Sequence, residues 1–100
     1  MIIHVTTLSA WGSQAQKNHF APDVFAMDGF IHCCASSQLA GVLERYFSRV
    51  DKVLLLHIDD LKLTSPLRYE SASNQEKFPH IYGAINKEAI VRIEEQINKK

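Results

Sequence analysis

One hundred residues, 46% hydrophobic and 22% charged, with eleven basic side chains set against eleven acidic ones, describe one ordinary globular domain. A neutral chain lacks the basic footprint of a general nucleic-acid binder. The two cysteines, Cys33 and Cys34, are adjacent, and neighbouring Cα atoms lie closer than normal disulfide geometry allows, so a stapled secreted scaffold is disfavoured.

Reduced thiols in a cytoplasmic setting are the expectation. The first residues show no basic region followed by an apolar core, so no signal peptide is read. The longest purely apolar run, Val53-Leu54-Leu55-Leu56, is far too short to cross a bilayer, and no membrane association is expected.

Residues 2–6 alternate as a strand, with Ile3 and Val5 on one face and Ile2, His4 and Thr6 on the other. Thr7 or Ser9 offers a cap for a short helix with Leu8, Trp11 and Ala15 on one stripe. Gly12 weakens that helix by about 1 kcal/mol relative to alanine. Residues 18–28 are expected as a loop ending in the turn signal Asp28-Gly29. Gly29-Phe30-Ile31-His32-Cys33-Cys34 reads as a second strand.

Ser36 or Ser37 then caps the principal helix, whose Leu39, Val42, Leu43, Tyr46 and Phe47 fall at amphipathic spacing. Residues 53–58 form an apolar run suited to a strand buried on both faces. Residues 67–70 alternate as a short strand, 71–77 read as an exposed loop, and Phe78-Pro79-His80-Ile81-Tyr82-Gly83 as a short extended piece. A closing strand is expected over residues 89–94, with 95–100 as a tail. The sum is a single compact α+β domain over residues 1–100, two main helices packed on a mostly antiparallel or mixed sheet.

Three of these segments carry a histidine that a strand does not call for. His4 shares its face with Thr6, His32 with Phe30 and Cys34, and His80 with Tyr82. A buried imidazole without a partner costs free energy, so three in matching settings point to a shared polar pocket. His57 has Leu55 for a same-face neighbour and reads as structural, and His19 carries no signal.

Three histidines with Cys34 or Cys33 would satisfy zinc chemically, but no Cys-x-x-Cys or His-Glu-x-x-His spacing is present, and no metal is expected. A thiol nucleophile with a histidine base is a further, weaker reading, and alternation selects Cys34 as the thiol facing the pocket. Arg68 and Glu70 share one face of their strand. They read either as a structural ion pair with neighbours or as an arginine clamp for a phosphate or carboxylate. Tyr82, beside Gly83, is the aromatic best placed to stack on a flat ligand, whereas Trp11 reads as core.

The pieces "IIHVTT…W", "GFIHCCASSQL", "VLLLHID", "LRYE" and "FPHIYGAI", in this order, resemble a family of small bacterial proteins known as domain of unknown function 952. Cys34 stands where a serine or similar residue is more usual in that family, and Tyr69 where tryptophan is common.

The family is similar in fold to ADP-ribosyltransferases and RNA 2′-phosphotransferases, which implies a curved, split sheet clasping NAD or a related nucleotide. The resemblance implies that His4 and Thr6 meet a ribose and that His32 supports the nicotinamide side. At the third position, often a glutamate, it leaves His80 and Tyr82, with Glu70 or Glu76 near only in sequence. On this reading His32 and His80 are the catalytic candidates. His4, Thr6, Cys34, Arg68, Glu70 and Tyr82 bind the ligand, which is NAD, ADP-ribose or a related phosphorylated nucleotide. A non-catalytic module binding a small ligand in the same pocket is the alternative.

Overall fold

The apolar run in the middle of the chain becomes the strand on which the larger sheet is built. The computed structural model of the protein describes residues 1–71 and 75–98. Strand β1 (Ile2–Thr6) leads through helix α1 (Leu8–Gly12) to β2 (His19–Phe20), and helix α2 (Asp23–Asp28) to β3 (Ile31–His32). A 3-10 turn, Ser36–Gln38, opens helix α3 (Leu39–Tyr46). Strands β4 (Lys52–Ile58), β5 (Leu67–Ser71), β6 (Lys77–Ile81), β7 (Ile85–Asn86) and β8 (Ile90–Ile97) complete the order.

Among the described residues the strands form sheets ordered β1-β4-β8, β3-β6-β5 and β2-β7, and every pairing is antiparallel. The two three-stranded sheets meet at one bridge, where Ile3 and Cys34 exchange main-chain hydrogen bonds of 2.8 Å. Strand β4 is central because Val53, Leu54, Leu55, Leu56 and Ile58 are all buried and need cover on both faces.

One core gathers Ile2, Phe20, Ile31, Leu56, Ile58, Ile81 and Ile85; the other gathers Ile3, Val5, Cys34, Leu43, Val53 and Leu55. Helix α3 covers the second with Leu39, Val42 and Phe47. The radius of gyration, 12.8 Å, is that of a single domain of this length, about 13 Å.

Several local expectations are corrected. Residues 18–28 hold strand β2 and helix α2 rather than a loop, because Phe20 is fully buried and β2 pairs with β7. The 3-10 turn before α3 is not capped by Ser36 or Ser37. The Gln38 side chain reaches back to accept from the Ala35 N–H at 2.9 Å. Thr7 does cap α1, accepting from the Ala10 N–H at 3.1 Å. Tyr46 falls on the α3 stripe but is 70% exposed.

Strand β8 runs to Ile97 because it pairs with β4 along that length, so the expected tail shortens. Ser71 and Lys77 are cross-strand partners rather than loop, while 72–74 of that expected loop and 99–100 of the tail lie outside the described residues.

Candidate functional site

The three histidine-bearing strands converge. His32 on β3 is the cross-strand partner of His80 on β6, which is in turn the partner of Arg68 on β5. Period-two alternation therefore puts Phe30 and His32, Phe78, His80 and Tyr82, and Arg68 and Glu70 on one face of the smaller sheet. The rings touch. Phe30 stacks on His80 at 4.2 Å between centroids, and His32 meets His80 edge-on at 5.4 Å.

Each of these two imidazoles is tied to its own carboxylate. His32 Nε2 lies 2.8 Å from Asp28 Oδ2, and His80 Nδ1 lies 2.8 Å from Glu70 Oε1. Asp28 reaches His32 from the end of α2 because Gly29 caps that helix at φ 79, a left-handed conformation that glycine adopts without strain. Glu70 also accepts the Tyr82 hydroxyl, and the Arg68 guanidinium sits 5.1 Å over the Tyr82 ring. The Tyr82 and His80 hydrogen bonds hold the Glu70 carboxyl below its ordinary range, while the same bond to Glu70 holds the Tyr82 phenol above its own.

His4 plays a different part. Its Nδ1–H donates to the main-chain oxygen of His32 at 2.7 Å, across the junction of the two sheets. Its Nε2 is buried with no partner among the described residues. Burial pushes its pKa down to about 4, the bond to His32 opposing that shift in part, so the ring is neutral at physiological pH.

A cavity of about 540 Å³ opens beside these residues. Its walls come from His4 and Val5 on β1, Phe30 and His32, Phe78 and His80, Ser71, and the α3 side with Val42, Tyr46 and Phe47. Cys33 and Cys34 both border it, but their side chains go to opposite cores. Burial pushes the Cys34 thiol up to about 11 and raises Cys33 further, so neither is a ready thiolate.

The structure thus brings His4, His32, His80 and Cys34 to one cavity, with Glu70, Tyr82 and Arg68 directly behind His80. Thr6 is buried in β1 and does not line the cavity, which sets it apart from the expected ribose contact. Tyr82 is not a wall of the cavity either; its hydroxyl and ring are engaged by Glu70 and Arg68. The sequence sets Glu70 near His80 only along the chain, and strand pairing makes it a direct partner.

Sequence reasoning passed over Asp28 and Phe30. The i, i+4 spacing of Asp28 and His32 was the available signal for the former. His57 bonds Glu94 on β8 at 3.0 Å and is structural. Among the described residues no three His, Cys, Asp or Glu side chains gather as a metal-binding group. No helix among them is long and apolar enough to cross a membrane.

Fold and cavity together define an α+β domain with a mostly apolar hollow at the junction of two antiparallel sheets, bordered by His4, His32 and His80. Residues 5–93 match the family model described as protein of unknown function (DUF952), and the chain belongs to that family. Among solved structures it is similar to protein CC0527 from Caulobacter crescentus, with a TM-score of 0.85 and 23% identity over 94% of this chain and 83% of that one. A double mutant of CC0527 gives 0.84 and 21% over the same shares. At such identities the likeness establishes the fold. No match was found among curated proteins.

Proposed function

We propose that the domain handles a nucleotide, NAD, ADP-ribose or a related phosphorylated compound, with His32 and His80 doing acid–base work on it in the manner of an ADP-ribosyltransferase-like transferase. The observation that carries this reading is the pair of cross-strand imidazoles, each bonded to its own carboxylate, at the wall of one cavity. An ionised carboxylate is acceptor-only, so the ring nitrogen facing it keeps the proton. The far nitrogen, Nδ1 of His32 or Nε2 of His80, then carries a lone pair in the neutral ring and an N–H in the protonated one, which suits acid–base work.

The cavity volume, about 540 Å³, falls in the range of roughly 300–1,000 Å³ usual for small-ligand sites. Phe30, Phe47 and Phe78 offer apolar walls for a flat ring.

Saturation-transfer NMR with NAD, ADP-ribose and nicotinamide is expected to show contacts that weaken in His80→Ala. Absence of binding at millimolar ligand would remove the reading. Release of nicotinamide from NAD separates turnover from binding alone. Binding without turnover is the second reading, favoured by the commitment of Glu70 to His80 and Tyr82.

A further inference from the structure

Arg68 is the one cation on the site face of the smaller sheet among the described residues, and its guanidinium lies over the Tyr82 ring, with Glu70 beside it. It does not line the cavity, so it is not placed to clamp an anion there. The groups left to meet one are His32 Nδ1 and His80 Nε2, neither of which has a partner among the described residues. Asp28 and Glu70 bond the opposite nitrogens and so decide which form each ring presents.

With the proton held on the carboxylate side, a neutral ring shows a lone pair, which repels a phosphate oxygen and accepts from a hydroxyl. A protonated ring shows an N–H on that same atom, which donates to a phosphate oxygen as a charge-assisted bond. Each imidazolium–carboxylate pair is then a dipole whose positive end is the nearer to the ligand, so the carboxylates weaken the attraction without reversing it.

We propose that His32 and His80 together form the seat for the phosphate oxygens of the ligand, filled when the two rings are imidazolium and given up when they are neutral. This rests on the nucleotide reading above and names the group that the paired histidines grip. The charged and titratable groups around the seat are Asp28 from α2, Tyr46 from α3, Glu70 and Arg68 from β5, Tyr82 beyond β6, and His4, which reaches the main chain of His32 and stays neutral. Cys34 on the cavity border is a protonated thiol throughout. The switch therefore belongs to the two rings.

ADP-ribose keeps a constant charge on its diphosphate between about pH 6 and about pH 8.5, so any change in its affinity over that range comes from the protein. Calorimetric titration of the full chain with ADP-ribose is expected to show affinity falling at least tenfold across it, while adenosine binding stays level. His32→Ala, a change at a half-exposed side chain, should flatten the dependence while adenosine still binds. ADP-ribose affinity that is level with pH, or adenosine binding as tightly as ADP-ribose at the acid end, overturns the seat and leaves the nucleotide reading standing. Failure of both ligands to bind overturns both.

Discussion

The two three-stranded sheets meet at Ile3 and Cys34 but are made of different material. In β1-β4-β8 the central strand is almost wholly aliphatic and closed on both sides, and its histidine, His57, is bonded across to Glu94 on the outer strand β8. In β3-β6-β5 one face is buried through Ile31 and Ile81. The other face carries two histidines, the rings of Phe30, Phe78 and Tyr82, an arginine and a glutamate. The larger sheet holds the fold by apolar burial, which is non-directional. The smaller sheet trades burial for directional polar contacts beside a cavity. His4 belongs to the first sheet by chain and to the second by its hydrogen bond.

The contrast is broken most severely by Leu56→Ala. Leu56 is fully buried at the centre of β4, and its truncation is expected to cost about 2–5 kcal/mol in urea unfolding. A loss below about 1 kcal/mol would mean that the strand is not the keystone its burial makes it.

Acid probes the junction. The folded pKa of His4 is lowered to about 4 from 6.5, so between these values the unfolded chain binds the proton and the folded chain does not. Its share of stability is whole above about pH 6.5 and is lost as pH falls toward 4, roughly 3 kcal/mol in all. Urea midpoints at neutral pH and at about pH 4.5 should diverge in the native chain and converge in His4→Asn, which keeps a donor for the His32 oxygen. An unchanged acid slope in that variant would assign the loss elsewhere.

The mildest change lies in the smaller sheet. Tyr82→Phe removes one hydrogen bond to Glu70 and is expected to leave the urea midpoint almost unchanged. Its sharper readout is the side-chain carboxyl NMR titration of Glu70, which should move up because Glu70 loses the partner that most lowers its pKa. A Glu70 curve identical to that of the native chain would show that Tyr82 does not hold that carboxyl down.

Much of the fold was open to reading because it is periodic. The stripe of α3, the continuous run of β4 and the alternation around His4, His32 and His80 are local patterns, and local patterns survive in one dimension. Strand β2 and helix α2 escaped because each is short and is held by tertiary partners, Phe20 by the core and β2 by β7. Tyr46 keeps its place on the α3 stripe but is 70% exposed, at the border of the cavity.

By itself the sequence determined that three imidazoles would stand on strand faces opposite their aliphatic neighbours, because side chains alternate along any strand. It could not say what each imidazole would hold. His80 and Glu70 are ten residues apart, and they meet because β5 pairs with β6 in one register. A slip of one residue would turn Glu70 to the other face. Asp28, the oxygen that binds His4, and the hollow between α3 and the sheets likewise depend on how distant segments close on one another, a matter decided by packing in three dimensions.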